Sequence, residues 1–443
     1  MAEVRVKISV ILPSFNAKAY IKECLESVCN QSLRDIEIIC VDAGSTDGTI
    51  EILEEYEKKD ARLTRIISDK KSYGYQMNLG IDAACGEYIG IVETDDWIPE
   101  TMYEELYYIA HHNNAEFVKA DFYRFREKEQ GLVRMLYSQD KSHTYYGRLI
   151  DIEKEQECFR FPVNTWSGIY QRKYLKAYDI RHNETLGASF QDNGFWFQTF
   201  AYAKRAFFVD KPYYMNRRDN PESSVFNRNK IFCICDEFDF IRTVLKKRND
   251  LFQKLKPAYS IACFLAYSGN LDRISAVSGK VFSRRFSEDF HKLQKQGILD
   301  LSMFRKEEKE MLLSVMDDPE SFYEHSTAIE KKQAFYKIRL YENVIIYGAG
   351  EAGRTIWKEL VYHGITNIYC FAVSSKDGNP GTFQNMPVYG ITELLDYREK
   401  SLVIIAISPK NPDSQSEIED TLKKLGFMHI LYFPGYQRKK NGL

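Results

Sequence analysis

Several features are scarce in this chain of 443 residues. No stretch approaches the roughly 18 uninterrupted apolar residues of a membrane-spanning helix, so the expected contact with a membrane is at most peripheral, at its inner face. The charged start runs into a short, strand-length apolar segment ending at Pro13, unlike a secretory leader. A surplus of either charge is also missing. The 61 Lys plus Arg against 63 Asp plus Glu leave a formal charge of −2, which excludes the broad positive field of a dedicated nucleic-acid binder. Any anion site must therefore be local. The nine cysteines are scattered, and Cys233 and Cys235 form a lone pair with no second pair and no nearby His. Zinc is not indicated, and the thiols read as reduced and cytoplasmic. His111, His112 and His182 show no ligand spacing. Repeats and low-complexity segments are absent too.

What is abundant is aromatic surface. Tyr, Phe and Trp make up 14% of the chain, enough for thick cores or for stacking on flat ligands such as bases and sugar rings. The length admits two or three cores.

The first 95 residues alternate between strand-like and helix-like signals. Strands are expected at 4–12, 36–41, 63–67 and 88–92, with Tyr20, Ile21, Cys24, Leu25 and Val28 at helical spacing after the first and helices at 49–56 and 76–84. This order implies a mostly parallel sheet covered on both faces, whose ligands bind beyond the carboxyl ends of the strands. Three such ends carry polar or acidic tips: Pro13-Ser14-Phe15-Asn16, the run from Asp42 to Thr49, and Glu93-Thr94-Asp95-Asp96. Residues 228–338 read as a helical connector, and strand logic returns at 343–347, 368–373 and 402–407. The expected domains are 1–227, 228–338 and 339–443.

Crowded carboxylates at Glu93, Asp95 and Asp96 repel unless a cation offsets them, and hard oxygen ligands suit Mg2+ or Mn2+ held together with a diphosphate. A solvated turn or a helix cap is the other reading. Asp42 can accept a ring N–H from a base. Gly44 permits a tight turn, while Ser45, Thr46 and Asp47 can cap the next helix. Phe15 offers either a ring face to a base or ordinary core packing.

In this order and spacing, the tips, together with Asn78-Leu79-Gly80 and Ala84-Cys85-Gly86-Glu87-Tyr88-Ile89, resemble the family 2 glycosyltransferases of the GT-A fold. The resemblance covers about the first 220 residues. It implies an inverting transfer of sugar from a nucleotide-sugar, usually UDP-linked, to a hydroxyl of a glycan or lipid-linked acceptor in surface polysaccharide synthesis, helped by Mg2+ or Mn2+. By that likeness Phe15 stacks on the base, Asp42 bonds it, and Asp95 or Asp96 binds the metal. Pro13, Asn16, Ser45, Asp47, Asn78 and Glu93 join them as donor-contacting candidates. Two departures stand out: the family's Asp-x-Asp begins here with Glu93, and its usual Ala-Arg-Asn reads Gln76-Met77-Asn78. Arg217 and Arg218 could replace the missing positive charge, or be surface arginines.

An inverting displacement needs a base beside the acceptor hydroxyl. Asp192, among Phe190, Phe195, Trp196 and Phe197, is the candidate, with a helix cap as the alternative. Trp166 and Trp196 are candidate floors for a sugar, or core residues. In the last domain Gly348, Gly350 and Gly353 follow a strand and open a helix, as a phosphate-cradling turn does. The acidic residue that would hold a ribose is missing, since the next strand ends in Ser374-Ser375. That domain resembles Rossmann-like modules appended to sugar-modifying enzymes. The competing functions are a catalytically silent nucleotide-sugar-binding scaffold, motivated by Glu93 and Met77, and an NAD(P)-linked enzyme using the last domain. Self-association through the helical region stays open.

Overall fold

The computed structural model describes residues 6–128, 131–220, 230–274, 276–324, 327–407 and 412–434. Val4 and Arg5, placed in the first expected strand, lie outside the described residues. The chain divides into two compact units, one of Met1–Ile274 and Arg285–Met316, the other of Ser275–Arg284 and Asp317–Leu443.

The first unit opens with the strand-helix alternation that the apolar spacing implies. β1 (Ile8–Ser14), α1 (Ile21–Cys29), β2 (Ile36–Asp42), α2 (Thr49–Lys59), β3 (Leu63–Ile67), α3 (Tyr73–Ala83), β4 (Tyr88–Ile91) and α4 (Met102–Asn113) follow in order. Every residue of β1 is buried, as a strand covered on both faces must be. Ile21, Cys24, Leu25 and Val28 of α1 are buried at helical spacing. The structure extends β1 to Ser14 and β2 to Asp42, so both polar tips begin inside the ladder, with Ser14 paired to Asp42. α3 starts at Tyr73 rather than at 76, because the Ser72 side chain caps it by accepting from the Tyr75 N–H at 3.2 Å.

Then come β5 (Phe117–Lys128), β6 (Gly131–Tyr137), β7 (Leu149–Ile150), β8 (Gly168–Gln171), α5 (Arg172–Tyr178), α6 (Gln191–Tyr202) and β9 (Ala206–Arg217). The sheet order is β3-β2-β1-β4-β8-β5-β9-β7, with β6 on β5. β3, β2, β1 and β4 are mutually parallel, and β8 runs antiparallel between β4 and β5. The chain order reverses beside β1, so the switch point where such sheets bind ligands lies at the ends of β1, β2 and β4.

From residue 233 to 338 the described chain is helical: α7 (Cys233–Lys246), α8 (Asn249–Arg273), α9 (Ala276–Lys295), α10 (Lys306–Asp317), α11 (Pro319–Glu324) and α12 (Thr327–Ile338). α7 and α8 fall in the first unit. All nine cysteines are free, and Cys233 and Cys235 are residues of α7.

The second unit carries β10 (Asn343–Tyr347), α13 (Glu351–Tyr362), β11 (Ile368–Val373), β12 (Thr382–Phe383), β13 (Met386–Gly390), β14 (Ser401–Ile405), α14 (Pro412–Lys424) and β15 (Ile430–Tyr432). Its sheet order is β12-β13-β11-β10-β14-β15, parallel except for β12. Ile345, Cys370, Val403 and Ile405 form its core. Among the described residues no helix is long and apolar enough to cross a membrane.

Candidate active site

The first two tips are stitched to each other. Asp42 is buried, and its Oδ1 accepts from the N–H groups of Gly44 and Ser45 at 2.9 and 2.7 Å while its Oδ2 accepts from Ser45 Oγ at 2.6 Å. Gly44 sits at φ +78, which the tight turn requires and a glycine adopts without strain. Ser45 Oγ accepts from the Asn16 N–H at 2.8 Å, and Asn16 Oδ1 accepts from the Thr46 N–H at 2.9 Å. Asp47 accepts from the N–H of Lys18 and from both the N–H and hydroxyl of Thr49. Against a modest burial penalty, the Thr49 hydroxyl and the N–H groups of Lys18 and Thr49 leave the Asp47 carboxyl below its ordinary range. Asn16, Ser45 and Asp47 thus shape the turn, and the Pro13 carbonyl accepts from Thr94 Oγ1 at 3.1 Å. The side chain this framework presents outward is Phe15, 46% exposed, with Lys71 Nζ 4.8 Å from its ring centre.

The acidic tip follows β4 and is deeper. Glu93 accepts at Oε1 from Tyr73 Oη at 2.7 Å, and its N–H donates to Tyr214 Oη at 3.0 Å. Burial pushes the Glu93 carboxyl up to about 8; the Tyr73 bond opposes this, and the charges of Asp95 and Asp192 add to it. Asp95 is partly open at its surface, accepts from Asn220 Nδ2 at 2.9 Å, and is likewise raised by burial. Asp96 is 1% exposed and turns into the protein, where Arg217 N–H at 2.6 Å and Asn216 Nδ2 at 3.0 Å occupy its two oxygens.

Arg217 is enclosed by acids. Its guanidinium meets Glu23, Glu127 and Asp219, donates to the Asp95 carbonyl at 3.0 Å, and lies over the rings of Tyr20 and Phe125. Its charge is spent on those partners, so it anchors the acidic turn instead of presenting a free cation.

Asp192 is the second residue of α6 and is partly exposed. Burial raises its proton affinity, opposed by the Asn193 side-chain amide and N–H, both at 3.0 Å from Oδ1. The loop ahead of it is braced by Gln191, whose Nε2 donates to Thr185 and to the Gly187 carbonyl. That loop is tied to the start of α3: Tyr73 N–H donates to the Gly187 carbonyl at 3.0 Å, and Gly187 N–H to the Lys71 carbonyl at 2.8 Å. Asn78 adds a second tie, exchanging bonds with the backbone of His182 at 3.0 Å and donating to Glu184. His182 fills the gap, stacked on Phe195 at 4.2 Å and edge-on to Tyr73 at 5.8 Å. Burial holds its imidazole down at about 3. Tyr73 thus joins the two walls, its hydroxyl bonded to Glu93 and its N–H to the loop ahead of Asp192.

Trp166 stacks on Tyr214 at 4.3 Å with part of its surface open, beside the Glu93 turn. Trp196 is different from the expectation of a sugar floor. It is 2% exposed and packed against Phe159 and Phe200, in the core.

Sequence reasoning missed Tyr73, Tyr214 and Gln76. Gln76 Nε2 donates to the carbonyls of Ser14 and Val41 at 2.8 and 2.7 Å, joining the ends of β1 and β2, while Met77 is core. Ser72 was the available signal for Tyr73, because a Ser before a periodic segment marks a helix start. Among the described residues no three His, Cys, Asp or Glu side chains converge as a ready metal cage. The donor chemistry at Asp95 still fits a divalent cation, since a partly open carboxylate in an acidic recess favours one.

Residues 9–176 match the family described as Glycosyl transferase family 2. Glycosyltransferase EpsJ of Bacillus subtilis is 31% identical over 216 residues, 49% of this chain and 62% of that protein. Glycosyltransferase GlyG of Streptococcus pneumoniae is 37% identical over 134 residues, covering 30% and 44%. The chain therefore spans less than two thirds of either relative. Staphylococcus aureus TarS 1–349 superimposes with a TM-score of 0.52 at 17% identity, covering 74% of this chain and 91% of that one. A TM-score of 0.51 relates the chain to the UDP complex of the same protein. At such identity the likeness shows a shared fold.

Proposed function

We propose, from the match of residues 9–176 to Glycosyl transferase family 2, that the chain transfers a sugar, with inversion, from a UDP-linked donor to a hydroxyl of a glycan or lipid-linked acceptor in surface polysaccharide synthesis. One observation carries the reading: about a hundred residues apart in sequence, the acidic turn after β4 bonds Tyr73 Oη through Glu93, and the loop that leads into Asp192 bonds the Tyr73 N–H through Gly187. The exposed ring of Phe15 stands on the framework of the same edge.

Phe15 stacks on the uracil ring, and Lys71 beside it offers positive charge to the donor. Asp95 would hold the divalent cation; Asp96 and Arg217 keep Asp95 in place through the turn backbone. Bound Mg2+ or Mn2+ supplies charge to offset the departing diphosphate. The acceptor oxygen bonds to the anomeric carbon as the bond from that carbon to the UDP oxygen breaks. Asp192 takes the hydroxyl proton, and burial raises its affinity for that proton. Trp166 offers an open aromatic face to the sugar. The setting is cytoplasmic, where nucleotide-sugars are available.

A panel of nucleotide-sugars tests the reading by thermal stabilisation with and without Mn2+, because a ligand of the folded state raises apparent stability by mass action. UDP-sugars should stabilise the chain more with Mn2+ than without it. No shift with any UDP-sugar in either condition would refute it.

A further inference from the structure

α7 carries no motif, yet one of its side chains reaches the first turn of α6. Glu237 is 1% exposed. Its Oε1 accepts from the Gly194 N–H at 2.9 Å and its Oε2 from Asn183 Nδ2 at 2.9 Å. The carbonyl that would ordinarily serve the Gly194 N–H is that of Phe190, but it accepts from Asn193, through its N–H at 2.9 Å and its side-chain amide at 3.3 Å. The Gly194 N–H is thereby left to Glu237, one of the helix-start donors that need a partner from outside the helix.

The approach is close enough to dictate the residue at 194. A Cβ there would lie 2.1 Å from Glu237 Oε1 and 3.0 Å from Phe240 Cδ1, so only a glycine lets α7 seat its carboxyl on the α6 backbone. Asn183 then continues the chain of bonds, because its neighbour His182 is held by Asn78 of α3. One run of contacts thus passes from α7 through residues 182–183 to α3, and a second passes from α7 straight to the turn that bears Asp192. Burying a carboxyl is costly unless its bonds are satisfied, and here both bonds serve the walls of the candidate site.

We infer that Glu237 is a positioning residue: it holds the first turn of α6 and so fixes where the Asp192 carboxylate stands relative to the acceptor hydroxyl. The inference rests on the reading of Asp192 as the base. Glu237 touches neither donor nor acceptor, so its loss acts on turnover and not on donor binding.

The test compares Glu237→Ala and Glu237→Gln with the wild-type full chain in UDP-sugar turnover, UDP binding and amide hydrogen exchange across residues 190–196. Gln keeps an oxygen for the Gly194 N–H, and a flip of the Asn183 amide restores the second bond. In Glu237→Ala, kcat should fall roughly 10- to 100-fold, the cost of a small misplacement of a reacting group, with donor KM and UDP binding nearly unchanged and faster exchange at 190–196. Glu237→Gln should recover most of the turnover and the slow exchange. Should the Ala variant fail to fold, Asn183→Ala removes one of the two bonds to Glu237 and should move kcat and exchange in the same direction by less. Unaltered exchange in both Glu237→Ala and Asn183→Ala overturns the inference. So does unaltered kcat in a variant that exchanges faster. A wild-type chain that turns over no UDP-sugar refutes the proposed function instead, and the exchange comparison still decides whether Glu237 holds α6.

Discussion

The two sheets of this protein share a plan and differ at their edges. In the first unit β1 lies between β2 and β4; in the second β10 lies between β11 and β14, and each sheet reverses its chain order beside that central strand. Both therefore own a switch point, the place where open parallel sheets accept ligands. At the first, the strand ends deliver an exposed ring at Phe15 and the carboxylates of Glu93 and Asp95. At the second they deliver Gly348-Ala349-Gly350 and Ser374, whose hydroxyl bonds Tyr347 Oη at 2.7 Å. Arg354, in the first turn of α13, is paired with Glu351. Topology supplies a place in both, but among the described residues only the first edge gathers acids, an exposed aromatic ring and a carboxylate from a distant helix.

That contrast can be broken or sharpened. The largest effect is expected for Asp95→Ala, which should cost on the order of 100-fold in Mn2+-dependent UDP binding; titration calorimetry with and without Mn2+ reads it, and equal affinity would move the metal elsewhere. Next is His182→Phe. An unfolded His takes its proton near 6.5, whereas the buried ring refuses it until about 3, so the unfolded state binds more protons in between and stability drops as pH falls through that window. The Phe variant keeps the stack on Phe195 and should be on the order of 3 kcal/mol less acid-sensitive at pH 4, measured by urea denaturation at pH 7 and pH 4. Phe15→Ala should weaken UDP binding about 3- to 10-fold, the loss of one aromatic stack. The smallest effect belongs to the other edge: Ser374→Ala should leave UDP-sugar turnover unchanged, and a clear loss would mean that the second unit takes part in transfer.

The parts of this site legible in the sequence are those set by short-range pattern. β1, β2 and β4 announce themselves by buried runs, α1 by its spacing, and the tips follow because strand ends are marked by Pro13, Gly44 and the acidic run. The Asn16, Ser45 and Asp47 side chains satisfy local backbone groups, a role the capping reading already allowed. What stayed hidden depends on distant chain. Arg217 reads as a free cation until Glu23 of α1 and Glu127 of β5 close on it beside the nearby Asp219. Trp196, four residues after Asp192, looks like a ligand platform, but it packs into the core with Phe159 and Phe200. Glu237 lies 43 residues beyond its partner Gly194, in an amphipathic helix whose spacing says only that one face is buried.

The central claim is that Asp192 and the β4 tip form one transfer site, with Asp192 as its base. The most direct measurement is turnover of UDP-sugar by Asp192→Asn at saturating donor, alongside UDP affinity of the same variant. The account predicts turnover reduced by roughly 100-fold or more with UDP affinity retained. Turnover equal to wild type would contradict it.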